Sequence, residues 1–259
     1  MRVVIICPIP LEFTTCRTFL SLRDGPMVLG CRTCQGTIAN VDIVALEAGP
    51  AKARAAAATL AGITQFHPDV VLDTGTCGAL DGELIVDSIV IALSCLEFDI
   101  SGTGLPRRVI PEMKLPSSFS FMPKKESERL VRAAVELGKD LGFLVRSGIQ
   151  ACGEYFFQST QVRESLFALT GALSSNWETA GVFIGSLRAR VPALSIRIVT
   201  DLGDEDSLKD FKKNARRCSE ELYRYIRSLI EAGWFADFLS RWKQLTAAQV
   251  EKMALLVLP

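Results

Sequence analysis

The stretch Val70-Val71-Leu72-Asp73-Thr74-Gly75-Thr76-Cys77-Gly78-Ala79-Leu80 decides the fold class. Its apolar, β-branched start predicts a buried strand. Its two glycines then permit a sharp turn and let backbone N–H groups come near a ligand. Just upstream, Gly49-Pro50 opens an alanine-rich helix to Phe66, since proline is tolerated in a first helical turn. His67-Pro68-Asp69 turns that helix into the strand. Farther upstream, the sequence predicts a buried strand at 2–7, a Pro8-Ile9-Pro10 loop, a helix over 11–22, and strands at 27–35 and 38–46. Downstream come a strand at 88–95 and a long excursion over 97–123, rich in Pro, Gly and Ser. A helix over 124–141, a strand at 143–152, helices at 161–169 and 179–190, and a strand at 193–199 follow. Asp204, Glu205 and Asp206 head a last long helix that Gly233 ends. Alternation of this kind predicts an α/β fold whose mainly parallel or mixed sheet is covered on both faces. Ligands in such sheets bind beyond the carboxyl ends of the strands.

The 259 residues suit one large domain, and 29 basic against 29 acidic side chains argue against a nucleic-acid partner. One histidine, His67, leaves little for Ser-His-Asp catalysis or a multi-imidazole zinc site. Eight cysteines are too sparse for a disulfide scaffold and point to a reducing compartment. No run approaches the roughly 18 apolar residues of a membrane span. The expected location is the cytoplasm.

Polar and aromatic residues gather at the expected strand ends. They are Glu12, Thr76 and Cys77, Glu154-Tyr155-Phe156-Phe157, Asn176-Trp177-Glu178, and Arg197 through Thr200-Asp201. Carboxylates, a cation, hydroxyls and flat rings suit a sugar joined to a base. Plainer readings stand beside this one. Asp201 suits a helix N-cap and Glu12 a first-turn acid. Phe156 and Phe157 suit core packing, and Glu178 with Arg197 suits a structural ion pair.

Five stretches carry a resemblance. They are Gly49-Pro50-Ala51-Lys52-Ala53-Arg54-Ala55-Ala56, Asp73 through Leu80, Gly153-Glu154-Tyr155-Phe156-Phe157, Asn176-Trp177-Glu178-Thr179-Ala180-Gly181, and Val191-Pro192 through Asp201. In this order and spacing the chain resembles the purine nucleoside phosphorylase and methylthioadenosine/S-adenosylhomocysteine nucleosidase superfamily. The likeness covers roughly residues 1 to 230 and favours the nucleosidase-like branch. It implies a three-layer α/β domain over 1–232 with a mixed, partly barrelled central sheet flanked by helices. Residues 233–259 read as a C-terminal helical extension, with Trp234, Phe238, Trp242 and Leu245 at helical spacing and an apolar run at 253–258.

The same resemblance implies a role for each site residue. Asp201 matches the acid that protonates N7 of a purine leaving group, and Thr200 keeps a hydroxyl beside it. Phe156 matches the ring that stacks on the base, while Phe157 offers backbone groups to the base edge. Glu178 matches the carboxylate that accepts from ribose hydroxyls. Trp177 stands where the family usually has methionine under the sugar, and Arg197 and Thr76 line the ribose and nucleophile site. Asn176 replaces a glutamate common in the family, so sugar binding or substrate identity differs.

Charge argues for water as nucleophile. Family phosphorylases bind phosphate with arginines in the first loop and just before the glycine stretch, where this chain has Glu12 and Asp73. A carboxylate about 4 Å from a phosphate oxygen costs about 4 kcal/mol at an effective ε near 20. Glu12 instead suits a general base acting on water.

The expected function is therefore hydrolysis of the N-glycosidic bond of a purine nucleoside, with methylthioadenosine, S-adenosylhomocysteine or futalosine-like compounds as substrates. No metal or organic cofactor is implied, and the expected assembly is a homodimer or larger. The alternatives are a phosphorylase using phosphate and a non-catalytic nucleoside-binding protein. Cys31-Arg32-Thr33-Cys34 has zinc spacing but no second pair. Cys77 has no activating base nearby in sequence.

Overall fold

A computed structural model describes residues 1–99, 118–120 and 124–245. The elements run β1 (Arg2–Cys7), α1 (Pro10–Phe19), β2 (Arg23–Asp24), β3 (Thr33–Ile38), β4 (Val41–Glu47), α2 (Lys52–Phe66), β5 (Val70–Ala79) and β6 (Ile89–Glu97). Then come β7 (Ser118–Ser120), α3 (Lys124–Asp140), β8 (Val145–Cys152), α4 (Thr160–Thr170), β9 (Ser174–Asn176), α5 (Thr179–Ala189), β10 (Ala193–Asp201), α6 (Ser207–Glu231) and α7 (Trp234–Lys243). Most of the expected 97–123 excursion and the apolar run at 253–258 lie outside the described residues.

The strands form one mixed sheet in the order β10-β6-β8-β9-β5-β1-β4-β3-β2. A further parallel pairing of β5 with β10 joins the first and fifth strands of that order. Strands β10, β6, β8, β9 and β5 thus close into a ring, and β1 to β4 extend from it as an open wing. This is the partly barrelled sheet expected above.

Strand alternation explains the layers. In β1, Val3, Ile5 and Cys7 face a core shared with α1, α3, α6 and α7, whereas Val4 and Ile6 face a second core under α2 and α5. Both faces are covered, so β1 and the start of β5 (Val70 to Leu72) read as continuous apolar runs rather than alternating ones. Helix α7 touches both cores: Trp234, Phe235 and Phe238 join the first and Trp242 the second, and the Trp234 indole N–H donates to Leu130 O at 3.0 Å.

Two boundaries differ from the sequence reading for local reasons. The expected strand at 27–35 begins only at Thr33, because Leu29 and Gly30 take positive φ (45° and 85°) in a tight loop. β3 then meets β4 through Ala39 and Asn40, both at positive φ (46° and 64°), the backbone of a two-residue hairpin turn. The glycine stretch does not leave the sheet. Gly75 to Ala79 continue β5, and the glycines there serve close approach rather than a turn.

Helices α2 and α5 pack almost backbone to backbone. A Cβ on Gly181 would lie 2.1 Å from the Lys52 carbonyl oxygen, at the start of α2. Gly181→Ala is therefore expected to destabilise the protein by at least about 1–3 kcal/mol, read from urea unfolding. An unchanged midpoint would contradict this packing.

Candidate active site

The site lies at the carboxyl ends of β1, β5, β8 and β10, where the topology brings distant segments together. Glu12 stands in the first turn of α1 and is 1% exposed. Its Oε2 accepts from the Ile9 N–H at 3.2 Å, as a first-turn acid does. Its Oε1 reaches across to β5 and accepts from the Thr76 N–H at 2.8 Å and the Thr76 hydroxyl at 2.9 Å. One carboxylate thus serves as helix acceptor and as a group of the site. Burial pushes its pKa up to about 7, with the nearby Arg197 charge and the Thr76 hydrogen bonds opposing.

Asp201 ends β10 and is 4% exposed. Its Oδ2 accepts from the Thr200 hydroxyl at 3.0 Å and its Oδ1 from the Gly203 N–H at 3.3 Å. Burial raises it to about 6, against the lowering pull of those hydrogen bonds. It does not cap α6, whose N-cap is Asp206. Asn214 of α6 instead fixes the neighbouring backbone by donating to Thr200 O at 3.0 Å.

Both carboxyls press on β5 at its glycines. A Cβ on Gly75, whose φ is +137°, would meet Glu12 Oε1 at 3.0 Å, and one on Gly78 would meet Asp201 Oδ1 at 2.9 Å. The two glycines are three residue steps apart along the strand, about 10 Å at a rise of about 3.3 Å per residue.

Arg197 binds the site together. Its Nε and Nη2 donate to Asp73 Oδ2 and Oδ1 at 2.9 and 2.8 Å, a two-pronged pairing of planar groups. Its Nη1 donates to Thr76 O at 2.9 Å and lies 3.2 Å from Glu178 Oε2. Glu178 Oε1 accepts from the Ala51 N–H at 3.1 Å, which ties the residue before α5 to the start of α2. Burial raises Glu178, with Arg197 opposing. The ion pair named as a plainer reading is therefore present, inside the same cluster as Glu12.

Asn176 is turned away from an open role. Its Oδ1 accepts from the Glu178 and Thr179 N–H groups at 2.9 and 2.8 Å, and its Nδ2 donates to Gln150 Oε1 at 3.2 Å. It shapes the turn that presents Glu178. Phe156 and Trp177 are partly exposed and meet edge to face at 6.5 Å between centroids, forming an aromatic rim. Phe157 is buried against Phe98 and Tyr155, at 6.4 and 6.5 Å. Cys77 is buried and its thiol is pushed up to about 12, so it is no nucleophile at neutral pH.

The pairing of Asp73 with Arg197, and any part for Gln150, were not legible in the sequence. Asp73 reads as the acid that stands where family phosphorylases have an arginine, and only the β5–β10 pairing shows which cation it meets.

The phosphorylase superfamily model matches residues 2–231, and the chain belongs to that family. Among its relatives, the 5'-methylthioadenosine/S-adenosylhomocysteine nucleosidase of Bacillus licheniformis is 26% identical over 241 residues, covering 88% of this chain and 100% of its own. The protein of that name from Glaesserella parasuis is 28% identical over 208 residues, covering 78% and 86%. Of solved structures, a Helicobacter pylori MTAN mutant with 5'-methylthioadenosine in the active site matches with TM-score 0.75 at 19% identity, covering 89% of this chain and 98% of its own. Futalosine hydrolase of the same species matches with TM-score 0.75 at 20% identity, covering 90% and 98%.

Removing the cation should expose its structural share. Arg197→Met is expected to cost about 3–5 kcal/mol in urea unfolding at pH 8, because Asp73 and Glu178 stay buried without their partner. A loss below about 1 kcal/mol, the range of exposed pairs, would contradict the pairing described.

Proposed function

We propose that this chain hydrolyses the N-glycosidic bond of a purine nucleoside. One observation carries the reading: two buried carboxyls with raised pKa, about 7 for Glu12 and about 6 for Asp201, lie against two glycines of one strand, Gly75 and Gly78. A pair of titratable groups tuned toward neutrality is what acid–base cleavage needs. The nucleosidase names of the relatives support the same reaction.

In the proposed step, protonated Asp201 donates to N7 of the purine as the bond from the anomeric carbon to N9 breaks. The bonding pair leaves with the base, and the sugar becomes oxocarbenium-like. Ionised Glu12 takes a proton from water, whose oxygen bonds to the anomeric carbon. The products are free base and free sugar. Phe156 stacks on the base, Phe157 offers backbone groups to its edge, and Trp177 lies under the sugar. Glu178 accepts from the ribose hydroxyls, and Thr76 and Arg197 set Glu12 and Glu178. Thr200 holds Asp201 by its hydroxyl, and Asn176 supports Glu178 through the turn.

The substrate class proposed is a 5'-modified purine nucleoside such as methylthioadenosine, S-adenosylhomocysteine or a futalosine-like compound. A homodimer acting in the cytoplasm is part of the proposal. Eight unpaired thiols support a reducing compartment, and the partly exposed Tyr155, Phe156 and Trp177 support a covering subunit. No helix among the described residues is long and apolar enough to cross a membrane.

The active form needs Glu12 ionised and Asp201 protonated. Since the base titrates near 7 and the acid near 6, kcat/KM should trace a bell centred near pH 6.5. Asp201→Asn should lower kcat by at least about 10²-fold with the fold intact by circular dichroism. Retained turnover would remove the acid assignment.

A further inference from the structure

Helix α4 supplies none of the site residues named above, yet its first turn holds the loop that follows Asp201. Arg163 Nη1 donates to Leu202 O at 3.2 Å. Glu205 of the same loop binds back to the helix: its Oε1 accepts from the Thr160 N–H at 3.1 Å and its Oε2 from the Thr160 hydroxyl at 2.8 Å. Loop and helix are thus tied through Thr160 and Arg163, neighbours on one face of α4.

The Leu202 carbonyl and the Gly203 N–H belong to one peptide unit and point in opposite directions. On the far side, that N–H donates to Asp201 Oδ1 at 3.3 Å. Arg163 therefore grips the back of the peptide whose front holds the acid. A cationic donor on a carbonyl polarises the peptide and strengthens the hydrogen bond made by its N–H. The peptide is also wedged in place. Gly203 has φ +64°, and a Cβ there would meet Ala79 O at 2.7 Å and Arg163 Cγ at 3.4 Å. The Arg163 side chain is 16% exposed, and its buried Nε has no partner among the described residues, which is a cost. Its ion pair with the exposed Glu164, at 3.2 Å, offsets little of that.

We propose that Arg163 is a positioning residue for the acid: through the Leu202–Gly203 peptide it holds Asp201 Oδ1 and so fixes how the carboxyl is presented to the departing base. The inference rests on the reading of Asp201 as the acid and places control of that acid on α4.

The consequence has a sign. The Gly203 N–H favours the ionised carboxyl, so weakening it raises Asp201 above its value of about 6. Loss of the Arg163 charge acts in the same direction. The other groups facing Asp201 are Asp204 on its own loop and Cys77 on β5, with uncharged Ser175 on β9 and Ser207 and Asn214 on α6. The kcat/KM optimum lies midway between the two titrations, so it moves to higher pH.

The test uses the full chain with carbon-13-labelled aspartate, Asp201→Asn to identify the Asp201 signal, and methylthioadenosine as substrate. In Arg163→Leu, the Asp201 carboxyl should titrate higher by about half a pH unit or more, and kcat should fall about tenfold. The kcat/KM optimum should move to higher pH. Arg163→Lys, which keeps a cationic donor, should return the titration toward the native one. A merely structural Arg163 would lower the urea midpoint and leave titration and optimum in place, which would overturn the proposal. A titration that falls toward the ordinary carboxyl range would overturn it too, because a loosened loop admits water to Asp201. Both results leave the acid assignment standing. Retained turnover in Asp201→Asn, or no base release by the native chain, would overturn the acid reading instead, and the carboxyl titration would still decide whether Arg163 holds the group. If Arg163→Leu does not fold, Arg163→Gln, which removes the charge, gives the same comparison.

Discussion

Everything at this site depends on a guanidinium that hardly meets water. Arg197 is buried among Asp73, Glu178 and Glu12, and a single positive charge must serve three carboxyls. Such a cluster can stay buried only with nearly every lone pair occupied. Asp73 takes the fork, Glu178 takes one edge, and Glu12 is left with hydrogen bonds from Ile9 and Thr76 and a share of the field. Burial, opposed by only that share of the Arg197 charge and by the Thr76 hydrogen bonds, leaves Glu12 titrating near neutrality. The tuning of the base follows from its burial, with the geometry of the ion pair setting how far Arg197 opposes it.

The strand β5 is the common wall. Its residues supply Asp73 on one side, Thr76 toward Glu12, and bare glycine faces where Glu12 and Asp201 come closest. Because β5 pairs with β1, β9 and β10, it sets the first helix, the Asn176 turn and the acid-bearing strand relative to one another. Closing the ring through β5 and β10 is what brings residues from the two ends of the chain to one place. Fold and site are thus a single construction.

Much of this was legible in the sequence. The apolar run at 2–7, the alanine-rich helix and the long amphipathic helix α6 each became the element expected, within a few residues, and the run at 70–72 became the start of the longer β5. Glu12, Asp201, Glu178 and Arg197 were readable as polar groups at strand ends. What stayed hidden depended on long-range pairing. Nothing local shows that Asp73 meets Arg197 across 124 residues, or that Asn176 spends its amide on backbone and Gln150. The glycines misled in the ordinary way: glycine permits a turn and a close approach alike, and only the position of the neighbouring carboxylates tells which is in use. Ser174–Asn176, three residues long, has no periodicity to read.

The most direct measurement follows the attacking oxygen. A purine nucleoside is cleaved in heavy-oxygen water with inorganic phosphate present, the sugar is trapped at once by borohydride reduction, and its mass is read. The account predicts one heavy oxygen at the former anomeric carbon and no sugar phosphate. A sugar 1-phosphate carrying no heavy oxygen at that carbon would contradict it.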